Sequence, residues 1–158
     1  MTIGEAYRKA NRELAEKGIP DPKEDACLIL SHLTGLSPME IRLTKAEQVL
    51  STEQEQRLAS RLLSRAQRIP LQYLLGEQWF YGRHFRVDSR VLVPRQETET
   101  LCELGISFLN ERKAKQPSAL DLCTGSGAIA ITLQCECPSA SVTASDLSGE
   151  ALTLAGEN

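Results

Sequence analysis

Residues 119–131, Ala-Leu-Asp-Leu-Cys-Thr-Gly-Ser-Gly-Ala-Ile-Ala-Ile, place two glycines directly after a short apolar run, with Asp121 four positions before the first of them. Gly125-Ser126-Gly127-Ala128-Ile129-Ala130 fits the pattern G-x-G-x-x-A, and Asp146 follows Gly125 by 21 positions. Both features belong to nucleotide-cofactor turns. Glycines let a ligand approach the backbone closely, and a carboxylate at the end of the next strand can accept hydrogen bonds from ribose hydroxyls. Glycines also serve tight turns for steric reasons alone, so the pattern by itself leaves the ligand open.

Electrostatics separates the ligands. A dinucleotide brings a pyrophosphate with two negative charges, which a helix N-terminus and nearby cations stabilise. From Ala119 to Asn158 there is no Lys or Arg, while Asp121, Glu136, Asp146, Glu150 and Glu157 are all acidic. S-adenosylmethionine carries no phosphate and has a cationic sulfonium and an ammonium group. A carboxylate at the end of the first strand suits that ammonium, directly or through water. The turn therefore favours S-adenosylmethionine over a nicotinamide dinucleotide.

The elements that must position this turn read as strand, glycine turn, helix, strand and the start of another helix. Leu120–Leu122 is the first strand, Ala128–Gln134 lies in the helix, Val142–Ala144 leads to Asp146, and Ser148 is the next N-cap. That is one βαβ unit. Ahead of it, a helix over 97–113 takes Leu101, Leu104, Phe108 and Leu109 as its apolar side, and 113–118 is a polar connection. The period changes between Trp79 and Arg95, where aromatic and β-branched residues flank Gly82 as a hairpin and Val91–Val93 reads as a strand ended by Pro94. His84 in that hairpin is a surface or packing residue, since no second metal-type residue accompanies it.

The first 70 residues read as short, well-punctuated helices. Thr2 with Glu5, and Ser51 with Gln54, form capping-box patterns. Asp21-Pro22 and Ser37-Pro38 supply an N-cap followed by a first-turn proline, and Gly18 and Gly35 are stops. Arg57, Arg61, Arg65 and Arg68 share one helix at spacings of four, four and three. They form either a solvated face or a basic docking stripe for a partner.

Composition sets the outer limits. The 158 residues are 41% hydrophobic and 25% charged, ordinary for a globular protein. No apolar run is long enough to cross a bilayer and no signal-type leader is seen, so the expected location is the cytoplasm. The five cysteines are an odd number, and Cys135-x-Cys137 lacks the partners a zinc site needs. Free, mostly buried thiols and no metal are expected.

With Asp121-Leu122-Cys123-Thr124-Gly125-Ser126-Gly127 in place, the chain resembles class I methyltransferases. Two further stretches narrow the resemblance. Val91–Leu101, VLVPRQETETL, is similar to the Ile-Pro-Arg-Pro-Glu-Thr-Glu segment of the HemK-type (PrmC) family, and Arg68–Asp88 is similar to that family's linker hairpin. The fold implied is α+β: a helical substrate-docking domain over 1–70, a linker β-hairpin over 71–95, and over 96–158 the incomplete start of a Rossmann-like methyltransferase domain. The family methylates the side-chain amide nitrogen of the Gly-Gly-Gln glutamine in peptide chain release factors.

The resemblance implies that Cys123, Thr124, Gly125, Ser126 and Gly127 line the methionine end of S-adenosylmethionine and that Asp146 binds ribose, beside Asp121, the carboxylate already read as suited to the ammonium. Arg95, Thr98 and Glu99 match the family's motif near the pocket edge. The helical domain would contact the release factor, and neither nucleic acid nor membrane is an expected partner. Cys123 stands where many members have glycine and Gln96 where many have proline. The family's Asn-Pro-Pro-Tyr active-site run does not occur here, so no catalytic residue is assigned and the 158-residue chain is expected to be inactive. A non-catalytic module binding a translation factor and a fragment of a nucleic-acid amino-methyltransferase are the alternatives.

Overall fold

The computed structural model describes residues 1–111 and 116–158. It is an α+β chain that divides into two compact units, Met1–Leu75 and Gly76–Asn158. The first unit is helical. Helix α1, Ile3–Glu16, begins with a complete capping box: Thr2 Oγ1 accepts the Glu5 amide, and the Glu5 carboxylate accepts the Thr2 amide. This satisfies two of the amide donors that every helix start leaves without a partner. Its Ile3, Ala6, Ala10 and Leu14 are buried at helical spacing.

Helix α2, Pro22–Thr34, has proline in its first turn and ends on Gly35, which has φ 72°. That left-handed stop suits glycine because no Cβ opposes it. Ser37 and Glu40 bond reciprocally ahead of a single π-type turn, Glu40–Thr44. Helix α3, Thr52–Ala66, opens on the expected Ser51/Gln54 capping box. Its Leu58 and Leu62 join Ile29, Leu30 and Leu33 of α2 in the core. A short helix α4, Leu71–Leu75, follows Pro70 and was not evident in the sequence pattern.

Arg57, Arg61 and Arg65 lie on α3, whereas Arg68 follows its end with φ 69°, so the four share neither one helix nor one outward stripe. Arg65 Nε donates to Asp25 Oδ2 at 2.6 Å, and both side chains are largely buried. Arg65 Nη1 also reaches the Ile69 carbonyl, and Arg68 Nη2 the Lys17 carbonyl. Two of the four residues read as a basic face thus close the helical unit on itself. Arg57 meets Glu53 loosely at the surface. Arg61 buries one guanidinium nitrogen without a partner, and burial followed by the charge of Arg57 lowers its pKa.

The second unit starts with an antiparallel hairpin, β1 Glu77–Phe80 and β2 Arg83–Arg86, with Phe80 opposite Arg83. Tyr81 and Gly82 both have positive φ, 49° and 69°. A two-residue turn of that hand matches the twist of the flanking strands. Phe80 and Phe85 meet edge to face with centroids 6.0 Å apart and pack against Cys102 and Ala128. His84 packs against Trp79 with the rings tilted by 53° and bonds Glu77, as a surface packing residue does.

Two expectations fail in the next stretch. Val91–Val93 is not a strand: Val91 is buried after a turn at Asp88–Arg90, Leu92 is exposed, and no described strand pairs with the segment. Helix α5, Glu97–Glu111, buries only one residue of the expected apolar side, Leu109. Cys102 and Leu109 are buried, whereas Leu101, Leu104 and Phe108 are each more than half exposed. The buried face is chosen by helix α6, Ala128–Glu136, which packs so close to Gly105 that a Cβ there would lie 3.0 Å from Leu133. The expected end of α5 at Lys113, and the first half of the polar connection over 113–118, fall outside the described residues.

Strands β3, Ser118–Leu122, and β4, Ser141–Ser145, pair in parallel, with Asp121 opposite Ala144. The connecting α6 completes a βαβ unit. Helix α7, Gly149–Glu157, is capped by Ser148, whose hydroxyl accepts the Ala151 amide. Among the described residues no helix is long and apolar enough to cross a membrane.

Candidate functional site

The glycine turn joins β3 to α6, and three of its backbone groups are tied down by residues distant in sequence or on the neighbouring strand. Asp121 is buried at the end of β3, and its Oδ2 accepts the Thr124 hydroxyl at 2.6 Å and the Ala130 amide at 3.2 Å. The Thr124 amide donates to the Ser145 carbonyl of β4 at 2.9 Å. Asp146 Oδ2 accepts the Gly125 amide at 2.9 Å, and its Oδ1 accepts the Ser148 amide. Asn158 Nδ2 donates to the Ser126 carbonyl at 2.9 Å.

The two glycines serve different needs. Gly127 has φ 80° and is packed, since a Cβ there would lie 3.0 Å from Ile131 and 3.3 Å from the Ala155 methyl. It permits the close approach of α7. Gly125 has φ 56°, yet nothing lies within 4 Å of where its Cβ would be. Its absent side chain therefore leaves an open approach to the turn. Cys123 takes φ 62° and is exposed. This left-handed conformation is one that glycine adopts freely and that a residue with a Cβ adopts at a cost.

The site is an anionic one. Backbone donors from Ser148, then Gly125, hold the Asp146 carboxyl below the usual carboxylate range. Burial, with the charges of Asp121 and Glu99 adding to it, pushes the Cys102 thiol up to about 11. Residues 119–158 contain no Lys or Arg. Open backbone beside two carboxylates fits a cationic nucleoside better than a pyrophosphate.

The structure thus brings Asp121, Thr124, Gly125, Ser126, Gly127 and Asp146 into one turn, with Cys123 on its exposed side. Glu99 of α5 instead accepts the Tyr81 amide at 2.8 Å and so holds the strained hairpin turn. Thr98 donates its amide to the Arg95 carbonyl, and the Arg95 side chain is exposed. Among the described residues no hydrogen bond or ion pair joins Arg95, Thr98 or Glu99 to the glycine turn. Three of the five thiols, Cys27, Cys102 and Cys137, are buried and all five are free. No cluster of described residues could hold a metal ion. Sequence reasoning missed Asn158, since a lone asparagine at a helix end carries no pattern.

The family model described as the PrmC N-terminal domain matches residues 5–76. Residues 5–76 are thus similar to that domain. Beyond that domain the similarity continues. A protein named release factor glutamine methyltransferase from Deinococcus radiodurans is 40% identical over 158 residues, covering 100% of this chain and 56% of the relative. One of the same name from Chlorobaculum tepidum is 42% identical over 147 residues, covering 91% of this chain and 50% of the relative. A third, from Streptococcus pneumoniae, is 38% identical over 158 residues, 100% of this chain and 55% of the relative. The chain spans about half the length of the curated relatives it matches. The PrmC resemblance carried by Val91–Leu101 and Arg68–Asp88 is borne out by these matches.

Proposed function

We propose that this chain is part of an S-adenosylmethionine-dependent methyltransferase. Its substrate is the side-chain amide nitrogen of the Gly-Gly-Gln glutamine in peptide chain release factors. The observation that carries the reading is the glycine turn: open backbone at Gly125 flanked by Asp121 and Asp146, with no cation nearby. The names of the similar proteins supply the reaction and the substrate. Residues 1–70 are assigned to substrate docking and 71–95 to the linker. Residues 96–158 are assigned to the start of a Rossmann-like cofactor domain, and the location to the cytoplasm.

When bound, S-adenosylmethionine supplies an electrophilic methyl group on sulfur. This chain's residues bind and orient. Backbone amides favour the charged form of the Asp146 carboxylate, whose remaining acceptor capacity would serve the ribose hydroxyls. Asp121 Oδ2 already accepts from Thr124 and Ala130, so Asp121 would hold the ammonium through its other oxygen or through water. Cys123, Thr124, Ser126 and Gly127 shape the backbone around the methionine end, and Arg95, Thr98 and Glu99 mark the pocket edge. An amide nitrogen is a poor nucleophile, so its positioning carries much of the catalysis. No Asn-Pro-Pro-Tyr run is present to accept the amide hydrogens. The 158-residue chain therefore turns nothing over by itself.

Calorimetry of the chain with S-adenosylmethionine and with NADH tests the cofactor, and transfer of labelled methyl to a release factor tests turnover. Saturable binding of S-adenosylmethionine alone, without transfer, is expected, and Asp146→Ala should weaken it about tenfold. Saturable NADH binding with none to S-adenosylmethionine would overturn the reading.

A further inference from the structure

Asn158 connects three segments through one side chain. Its Oδ1 accepts the Arg86 amide at 2.7 Å, and its Nδ2 donates to the Arg86 carbonyl at 3.2 Å and to the Ser126 carbonyl at 2.9 Å. Both amide hydrogens and the acceptor are therefore engaged. Arg86 ends β2, whose Phe85 is in the core beside Ala128, the first residue of α6. Ser126 is buried between the two glycines. Ion pairs flank the amide: Glu157 lies 3.8 Å from Arg86 and 3.6 Å from Arg90, which itself grips Asp88.

We infer that Asn158 is a positioning residue, a neutral clasp that holds the glycine turn by its Ser126 carbonyl against the backbone of β2. The physical reason lies in the turn itself. Cys123, Gly125 and Gly127 all have positive φ, a conformation that the local chain does not favour and that outside bonds must enforce. Asp146 holds the turn from the β4 side by the Gly125 amide. Asn158 holds it from the β2 side by the next carbonyl. A carboxylate could not replace the asparagine, because two of its three bonds are donated to carbonyl oxygens.

The inference rests on the cofactor reading only for its consequence, and the test separates the two. Amide hydrogen exchange is measured residue by residue on the 158-residue chain and on its Asn158→Ala and isosteric Asn158→Asp variants, without and with S-adenosylmethionine. Both variants should exchange the Gly125 and Gly127 amides about tenfold faster. The interior amides of β3 and β4 should be unchanged, which a general loss of stability would not leave so. S-adenosylmethionine should slow exchange in the turn of the parent chain and need about tenfold more ligand in the variants. If turn exchange is unaltered in both variants, or if Asn158→Asp keeps the parent's protection, the clasp is refuted. If exchange changes but S-adenosylmethionine protects no chain, the clasp stands and the cofactor reading fails.

Discussion

The carboxylate of Asp146 and the amide of Gly125, 21 residues apart in sequence, share a 2.9 Å hydrogen bond that fixes the glycine turn to the end of β4. The same carboxylate accepts the Ser148 amide ahead of α7. Because these donors favour the charged form, the folded-state pKa lies below the ordinary aspartate value. The stabilisation is thus fully present above the unfolded-state pKa and is lost as pH falls through the lowered folded-state value. Asp146→Asn should melt at a lower temperature than the parent at neutral pH. The gap should close in strongly acidic buffer, where both side chains are neutral. A gap that stays constant down to pH 2 would assign the loss to geometry instead of charge.

Three backbone positions near the site have left-handed φ, and their environments predict an order of effects. Cys123 pays for that conformation with a Cβ, so Cys123→Gly should be neutral to stabilising, by up to about 1 kcal/mol in urea unfolding. Gly125→Ala meets no atom and should cost only backbone strain, about 1–2 kcal/mol. Gly127→Ala adds contacts at 3.0 and 3.3 Å with Ile131 and Ala155 and should cost more than Gly125→Ala. Equal costs at 125 and 127 would mean that α7 yields freely.

Two arginines one turn apart on α3 should respond in opposite ways. Arg65→Ala leaves Asp25 buried without its cation and should destabilise the chain by about 3 kcal/mol. Arg61→Met removes a guanidinium nitrogen that is buried without a partner, keeps the aliphatic stem, and should be neutral or stabilising. Thermal melts of the two variants check this. A large loss at Arg61 would show that its head group carries a contact of its own.

The legible parts of this chain were those governed by local rules. Capping boxes at Thr2/Glu5 and Ser51/Gln54, the left-handed stop at Gly35 and the Tyr81-Gly82 hairpin turn depend on a few adjacent residues, and each could be read or bracketed directly. The turn bearing Asp121, Gly125 and Gly127 was legible because its spacing is fixed by one strand, one turn and one helix. What was not legible depends on partners far away in sequence. Of the apolar side expected for α5, Leu109 is buried, but Leu101, Leu104 and Phe108 look like a core stripe and are exposed, because contact with α6 at Gly105 and Leu133 turns Cys102 inward instead. The valines at 91 and 93 have strand propensity, but among the described residues no strand pairs with them, and pairing decides over propensity. Arg65 looked like one of four surface cations until Asp25, 40 residues earlier, was placed against it.

The thiols offer a final prediction that depends on both position and pH. Cys123 and Cys135 are exposed, whereas Cys27, Cys102 and Cys137 are buried. Brief treatment of the native chain with iodoacetamide at pH 8 should alkylate the first pair and leave the other three untouched until denaturant is added, as mass spectrometry of the digested chain would report. Cys102 should be among the last to react, because burial and the nearby charges of Asp121 and Glu99 raise its thiol to about 11. A raised folded-state value means that the native chain holds this proton more tightly than the unfolded chain. Its contribution to stability is therefore intact below the ordinary thiol pKa and declines as pH climbs toward 11. Cys102→Ala should flatten that decline in melts taken between pH 8 and 11, while Cys123→Ala should leave its slope unchanged. Early alkylation of Cys102 in the native chain would show instead that the packing of α5 on α6 opens readily, and the buried face assigned to α5 would have to be revised.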